Sequence, residues 1–296
     1  MYKFLILLAA LAMAGCQQAS EEKAAPAADE AAVSGSALAD SLAAQPDDIR
    51  ARYQYRHPQE TLEFFEIEPG MTVVEGLPGR GWYTKVLAAY LGSDGHIIGI
   101  NYAVDMWALF SFSSEDLLQR MGTWTTDFPA GADEWRDENS ATISAHEFGA
   151  VPADTAGTAD AVFFARVLHN LANFQNAGDG EFLKIALADA YSTLKPGGVF
   201  GVVQHRARDE MSDDFANGTH GYLKKDFVIA QTVAAGFEFV GEIDINANAS
   251  DQPSEDDIVW RLPPTYATSG DDAELRAAVD AIGESNRMTL KFRKPL

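Results

Sequence analysis

The chain has 296 residues, of which 44 are acidic and 22 basic, so that its formal net charge is −22. Binding to nucleic acid phosphates needs clustered Lys and Arg, and this composition therefore disfavours a nucleic acid partner. Cys16 is the only cysteine, which excludes a disulfide within the chain and a cysteine zinc site. No spacing of histidines and carboxylates is typical of a zinc helix, and no metal site is predicted.

The chain begins MYKFLILLAALAMAGCQQ, which is typical of a secretion signal. Its run of about a dozen apolar residues is too short for a permanent membrane span. The stretch Met13-Ala14-Gly15-Cys16 resembles the bacterial lipobox, whose cysteine is diacylated and becomes the new N-terminus. The alternative is an ordinary cleavable signal with an incidental cysteine. With Gln17 next, the resemblance implies a lipid-anchored protein of the cell envelope, on the periplasmic face of the outer membrane.

Residues 17–44 are rich in Ala, Glu, Ser and Pro and almost lack aromatic and branched side chains. Such a segment buries too little apolar surface to fold, and we predict a disordered tether there. The remaining residues, 45–296, are enough for one large α/β domain.

Short apolar runs alternate with helical patterns in this domain, which predicts a mainly parallel sheet with crossover helices. Seven strands are predicted, over residues 72–75, 96–100, 141–145, 161–165, 199–204, 237–243 and 288–292. Helices are predicted over residues 82–91, 105–121, 179–194 and 225–235. The last strand alternates apolar and polar residues, and we expect it to be antiparallel at the sheet edge. Residues 246–285 have few strand signals and are predicted to form an elaboration above the site.

The stretch VVEGLPGRGWYTKV predicts a strand, a glycine turn and a helix start, an arrangement whose free N–H groups bind ligands. A phosphate-binding P-loop is excluded because no Lys-Ser or Lys-Thr pair follows Gly81. A dinucleotide loop is disfavoured because Gly76, Gly79 and Gly81 have the wrong spacing. The carboxylate of Glu75 would repel a pyrophosphate and attract a cationic ligand. Hydride transfer with a nicotinamide cofactor is disfavoured for the same reasons.

These residues resemble a known family. Glu75 through Gly81 is similar to the E-x-G-x-G-x-G loop of class I S-adenosylmethionine-dependent methyltransferases, with Leu77 at the first glycine. The segments ADAVFFARVLHN and LKPGGVFGVVQHRA extend the resemblance to a bacterial, often secreted or lipoprotein-like, group of predicted methyltransferases. The resemblance implies a Rossmann-like α/β fold with seven strands, mostly parallel with one antiparallel strand, and helices on both faces. It also implies S-adenosylmethionine as cofactor.

The resemblance further implies which residues bind this cofactor. Its methionine end would contact Glu75, Gly76, Gly79 and Gly81. Asn101 stands where the family usually has an acid for the ribose hydroxyls, and Asp105 is either a substitute or the N-cap of the next helix. Glu147 is at the position that reads the adenine amino group, with a solvated loop acid as the alternative.

Candidates for the acceptor side follow the predicted strands, where open α/β sheets bind ligands. His169, after the fourth strand, either faces the acceptor or packs beneath the cofactor. His205, after the fifth strand, is predicted to act as a base or to orient the acceptor. Arg206 either holds an acidic substrate or forms a surface ion pair, and Tyr222 is predicted to be a lid residue. The basic segment 50–58 either caps the cofactor mouth or pairs with surface acids.

Two functions remain open. The first is methyl transfer to a small-molecule acceptor. The second is a non-catalytic envelope lipoprotein that retains the fold to bind a ligand or a partner. The departures from the family pattern at Leu77 and Asn101 favour the second, and the predicted location conflicts with a cofactor that is made in the cytoplasm. The retained Glu75, Gly79 and Gly81 favour the first.

Overall fold

A computed structural model describes residues 28–296. The predicted signal, the lipidation site Cys16 and tether residues 17–27 lie outside the described residues and stay predictions. Within residues 28–296, no helix is long and apolar enough to cross a membrane. In the same range, no group of three or more His, Cys, Asp or Glu side chains is arranged to hold a metal ion.

One sheet carries the fold. Its strands are β1 (Thr72–Gly76), β2 (His96–Asn101), β3 (Thr142–Glu147), β4 (Ala159–Ala165), β5 (Leu194–His205), β6 (Glu238–Ile243) and β7 (Arg287–Arg293). They lie side by side in the order β3-β2-β1-β4-β5-β7-β6. The neighbours among β1 to β5 are parallel, whereas β7 runs antiparallel to both β5 and β6. The predicted fold class is confirmed.

The predicted edge position of the last strand is wrong. Strand β7 lies between β5 and β6, and β6 forms the edge. Two polar residues of β7 are nevertheless buried and paired, since Arg287 contacts Glu284 and Thr289 accepts a hydrogen bond from Asn246 at 3.0 Å. A period-2 polar pattern therefore marks internal polar contacts here instead of a solvated face.

The helices flank this sheet. They are α1 (Ala28–Ala43), α2 (Asp47–Arg50), α3 (Tyr53–Arg56), α4 (Pro58–Phe64), α5 (Trp82–Leu91), α6 (Val104–Ala108), α7 (Glu115–Gly122), α8 (Trp124–Ala132), α9 (Leu168–Ala177), α10 (Phe182–Thr193), α11 (Lys225–Ala234) and α12 (Ala273–Ile282). The predicted helix 105–121 is two helices, α6 and α7. The break arises because Ser114 caps α7, its hydroxyl accepting a hydrogen bond from the Leu117 N–H at 3.2 Å.

The predicted disordered tether extended too far. Helix α1 covers much of residues 17–44, and Leu38 and Leu42, four residues apart, are buried in the core beside α5. Alanine has the highest helix propensity, so an alanine-rich segment needs only a short apolar stripe to dock as a helix. The folded domain therefore begins before residue 45.

Alternation along the strands builds a core on each face of the sheet. Val74 and Ile98 face α9 and α10, whereas Val73 and Ile97 face α5. The carboxyl ends of the parallel strands meet at one edge of this sandwich, where open α/β sheets bind ligands.

Candidate functional site

The glycine loop after β1 is a tight, open turn. Leu77, Gly79 and Gly81 all have positive φ, at 48°, 61° and 75°. The Gly81 N–H donates to the Pro78 carbonyl at 2.9 Å. Within residues 28–296, the N–H groups of Gly79 and Arg80 have no acceptor, and both residues are exposed. The loop therefore offers two free donors beside the start of α5, as the sequence predicts.

Gly76 has a structural role, unlike the exposed Gly79 of the loop. It is buried, and a Cβ there would lie 2.5 Å from the Phe164 ring. The absence of a side chain at Gly76 lets β4 pack against β1, so its glycine is required by the core and not by contact with a ligand.

A cavity of about 830 Å³ opens beside this loop. One wall is the loop itself, and a second comes from Arg52 and Arg56 in the segment of α2 and α3. The segment that follows β4 contributes Arg166, and residues 259–265 of the predicted elaboration form a further wall. The basic segment 50–58 and the elaboration thus both border the candidate site.

The two predicted histidines meet in this cavity. His169, in the first turn of α9, and His205, at the end of β5, both line it, with ring centroids 5.3 Å apart. The His205 Nδ1 lies 2.6 Å from the Ser285 hydroxyl, and the His169 Nδ1 lies 3.3 Å from the Gln204 Nε2. Because the Gln204 amide is a donor, the Nδ1 of His169 is assigned as an acceptor. Among the described residues, neither Nε2 has a hydrogen-bond partner.

Both histidines are neutral at pH 7. Burial lowers the pKa of His169 to about 4, with a smaller contribution from Arg166 and an opposing one from Gln204. The pKa of His205 is also well below its usual value, first because of burial and then because of His169 and nearby arginines. Neutral imidazoles can accept a proton or donate a hydrogen bond to a ligand.

A buried carboxylate at the cavity organises four arginines. Glu284 accepts from the Nε of Arg52 at 2.8 Å and of Arg56 at 3.1 Å. It also pairs with Arg287 at 3.0 Å and with Arg166 at 3.7 Å. Burial raises the pKa of Glu284, but these guanidinium groups outweigh burial and hold the pKa at about 2. Because the four arginines come from three distant segments, sequence reasoning could not find this cluster.

Glu75 does not line the cavity. Its buried carboxylate accepts a hydrogen bond from the Thr84 hydroxyl of α5 at 2.7 Å. Burial raises the pKa of Glu75 to about 7, although the Thr84 hydrogen bond opposes this. The Glu75 carboxylate, which in the sequence argued against a pyrophosphate ligand, thus lies beneath the loop and supports the junction of the loop with α5.

We expect the Glu75→Gln variant to be more stable than the wild type at alkaline pH. The folded-state pKa lies above the unfolded value, so the wild-type free energy of unfolding falls as pH rises from about 4.5 to about 7. Above about pH 7, the free energy of unfolding of the wild type is therefore about 3 kcal/mol lower than it is below about pH 4.5. Glutamine cannot ionise, and urea unfolding should therefore show a gain of that size at pH 8 and almost none near pH 4.

The exposed Glu63→Gln variant is the control for this titration and should follow the wild type at both pH values. A Glu75→Gln variant that is less stable than the wild type at pH 8 would show that Glu75 is held ionised.

A second cavity, of about 440 Å³, lies at the carboxyl ends of β2 and β3. Asp105 and Glu147 line it together with apolar side chains. Burial raises the pKa of Glu147, and Asp105 adds to this rise. Asp105 sits in the first turn of α6, whose N-cap is Ala103, so its predicted alternative as N-cap is wrong. Glu147, the predicted partner of the adenine amino group, and Asp105, the predicted substitute for the acid that binds the ribose, thus line the same cavity.

Asn101 lines neither of these two cavities. Its amide contacts the Met121 sulfur at 3.7 Å, and its oxygen accepts from the Tyr102 N–H at 2.8 Å. The side chain is therefore covered by α7 and occupied by local contacts.

Tyr102 lines neither cavity, and the two cavities share no lining residue. Its side chain is 1% exposed, and its hydroxyl donates to the Val167 carbonyl at 2.8 Å. Tyr102 follows β2 and Val167 follows β4, and β1 lies between these strands. The ring therefore crosses the carboxyl end of β1, where an extended ligand would run from one cavity to the other.

Two further predicted residues lie outside the cavities. The Tyr222 hydroxyl donates to Asp251 at 2.9 Å and accepts from Arg261 at 2.8 Å, and its side chain is fully buried. Tyr222 is thus part of a buried ion-pair network and does not have the exposed position that its predicted lid role requires. Arg206 pairs with Asp209 at 3.8 Å, which agrees with the predicted alternative of a surface ion pair.

Solved structures share this architecture. The 4+2-cyclase SpnF superposes with a TM-score of 0.50 at 16% identity, over 81% of this chain and 80% of that chain. A SAM-dependent methyltransferase from Aquifex aeolicus has a TM-score of 0.46 at 15% identity, over 71% of this chain and 93% of that chain. CrArsM, an arsenic (III) S-adenosylmethionine methyltransferase from Chlamydomonas reinhardtii, has a TM-score of 0.43 at 15% identity, over 88% of this chain and 73% of that chain. No protein-family model and no curated protein matches the sequence.

At these identities the likeness is one of fold. The chain has a Rossmann-like fold with a seven-stranded, mostly parallel sheet, an architecture that it shares with SpnF. A cyclase shares the architecture, so the reaction has to be argued from the site.

Proposed function

We propose that this protein is an S-adenosylmethionine-dependent methyltransferase that acts on a small molecule. The observation that carries the proposal is the loop after β1. Its free Gly79 and Arg80 amides and the start of α5 face a cavity that His169 and His205 also line. A loop with free donors next to candidate acceptor-side groups is what methyl transfer needs, because the reaction depends chiefly on holding the acceptor in line.

The residues at both ends fit the cofactor. The free loop amides would hold the methionine carboxylate, and Glu147 in the second cavity would accept a hydrogen bond from the adenine amino group. When bound, the cofactor supplies an electrophilic methyl group on a sulfonium. The Tyr102 ring lies between the two ends, so the whole cofactor fits only when that side chain leaves its position.

The chain's own residues would position the acceptor and handle its proton. His205 is neutral and presents its Nε2 to the cavity, so it can take a proton from an acceptor hydroxyl or amine. His169, whose Nδ1 accepts from Gln204, carries its proton on Nε2 and would donate a hydrogen bond to the acceptor. Trp260 and Leu262 line the same cavity and would exclude water from it.

Calorimetric titration of the full chain with S-adenosylmethionine and S-adenosylhomocysteine tests this function. We expect both to bind, and we expect the Gly79→Ala variant to weaken them about tenfold, because a side chain at a left-handed loop position strains and covers the donors. Gly157→Ala is the matched control, since Gly157 also has a positive φ and open space. No binding at millimolar ligand would overturn the proposal.

The second function, a non-catalytic envelope lipoprotein, is favoured by one observation. Tyr102 closes the groove between the cavities while the first cavity stays open, so a smaller ligand could bind there without the cofactor. The same titration separates the two functions. The envelope location itself rests on residues 13–16, and mass spectrometry of the mature N-terminus, with or without a diacylated Cys16, tests it.

A further inference from the structure

We propose that the cavity beside the glycine loop binds a small-molecule polyanion bearing carboxylate or phosphate groups, with Arg56, Arg80 and Arg166 as its partners. This inference rests on the proposed function in one respect, because that function makes the polyanion the methyl acceptor. The site itself is argued from charge, burial and free donors.

The cavity has the opposite charge to the whole chain. Five cationic side chains line it, against two anionic ones, in a chain whose net charge is −22. The cationic side chains are Arg52, Arg56, Arg80, Lys85 and Arg166, and the anionic ones are Asp48 and Glu284. Three positive charges thus remain in excess at a concave, partly desolvated surface. Such a surface concentrates anions and strengthens their binding.

Glu284 neutralises only part of this charge. A single carboxylate serves four arginines, and Arg56 uses only its Nε for it. Within residues 28–296, the two terminal nitrogens of Arg56 donate no hydrogen bond, although the residue is only 4% exposed and lines the cavity. A buried guanidinium with free donors is costly unless an anion completes its partners.

Arg56 and Arg166 are also held in fixed positions. The guanidinium of Arg56 lies 4.5 Å from the centre of the Trp82 ring, a cation–π contact that fixes its plane. Arg166 has a φ of 63°, in the left-handed region that non-glycine residues rarely adopt, and its N–H donates to the Val203 carbonyl at 2.7 Å. Strained backbone that directs a cation into a cavity is typical of a ligand site.

The cofactor alone would not balance this charge. S-adenosylmethionine has one carboxylate, one ammonium and one sulfonium, so its net charge is +1. A cavity with three excess positive charges therefore favours a second, anionic ligand beside it. We expect the anion and S-adenosylmethionine to bind with positive coupling, because the anion offsets the positive charge that opposes the cationic cofactor and the cofactor in turn attracts the anion.

The free Nε2 atoms of His169 and His205 extend the same site. A neutral imidazole can donate from Nε2 to an anionic oxygen, and an anion nearby would favour the protonated ring. The pKa values of both histidines should therefore rise when the anion binds, which NMR titration can follow.

The test is calorimetry on the full chain, in buffer free of phosphate and sulfate, with inorganic phosphate and with citrate as probes. We expect one of the two to bind, and the stronger of them identifies the anionic group. Arg80→Gln and Arg166→Gln should each weaken it about tenfold. Arg120→Gln, an exposed arginine on α7, is the matched control and should change affinity less than twofold. Arg80 is exposed and has no ion pair with any residue of 28–296, so its variant is expected to fold.

The outcomes separate the alternatives. Binding of an anion that needs Arg80 and Arg166 and strengthens S-adenosylmethionine binding supports the proposal. Competition between the anion and S-adenosylhomocysteine would overturn it, because the arginines would then serve the cofactor carboxylate. No anion binding at millimolar concentrations, or equal weakening in Arg120→Gln, would also overturn it. Anion binding without any cofactor binding would leave the anion site standing and remove the proposed function.

Discussion

The Glu284→Gln variant is expected to lose about 3–5 kcal/mol of its free energy of unfolding, the range for breaking a buried ion pair by removing one partner. Glu284 is 3% exposed and pairs with four arginines, of which Arg56 and Arg287 are themselves buried. A neutral amide leaves these guanidinium groups facing one another in a medium of low dielectric. Urea unfolding at pH 7 measures the loss.

Glu66→Gln is the control for this change. Glu66 also pairs with two cations, Lys291 and Arg293, but its side chain is 47% exposed. Exposed pairs contribute about 1 kcal/mol or less, so this variant should stay close to the wild type. Equal losses in the two variants would contradict the central role of Glu284. Added phosphate or citrate should restore part of the stability of Glu284→Gln, since an anion replaces the missing charge.

The Glu284→Gln variant should also change how the free energy of unfolding depends on pH under acidic conditions. The folded pKa of Glu284, about 2, lies below its unfolded value, so its contribution is present above about pH 4.5 and is lost as pH falls toward 2. In Glu284→Gln the free energy of unfolding should fall less steeply over this window than in the wild type.

The Tyr102→Ala variant is expected to bind S-adenosylmethionine about 10- to 100-fold more tightly than the wild type, although it folds less stably. Displacing the buried ring and breaking its bond to Val167 costs roughly 1.4–2.8 kcal/mol, which is subtracted from the wild-type binding free energy. The truncation removes this cost and joins the two cavities. The same truncation should lower the free energy of unfolding by about 3–5 kcal/mol, as for other buried aromatic residues.

Phe237→Ala is the matched control for Tyr102→Ala. Phe237 is 2% exposed in the same core, and its ring packs against Phe200 and Tyr191 away from both cavities. It should lose similar stability without any gain in affinity. Calorimetry and urea unfolding on both variants give the two readouts. A Tyr102→Ala variant with unchanged or weaker cofactor affinity would show that the ring does not occupy the cofactor path.

Local pattern was enough for most of the fold. Helix α5 has the predicted bounds, and each of the seven strands lies within a few residues of its prediction. Apolar runs and turn glycines are decided by neighbours in sequence, and the order of elements then restricts the topology. The misplaced edge strand shows the limit of this approach. Nothing local in residues 288–292 reveals that Thr289 and Arg287 find polar partners inside the protein.

Chain position was enough to predict which residues meet at the cavity, and the roles of these residues stay predictions. The glycine loop and the two histidines follow strands, so topology alone brings them to one edge of the sheet. Prediction failed where function depends on side-chain direction. Glu75 turns beneath the loop toward Thr84, and Tyr222 turns into a buried network with Asp251 and Arg261.

By itself, the sequence determined the sheet, its glycine loop and the edge at which a ligand would bind, because hydrophobic period and turn chemistry are local properties. Only the tertiary structure decided the charge and the closure of the site. Arg52 and Arg56 are separated from Glu284 by more than 200 residues in the chain, and Tyr102 reaches across β1 to Val167. Such contacts arise from packing between distant segments, and no local pattern encodes them.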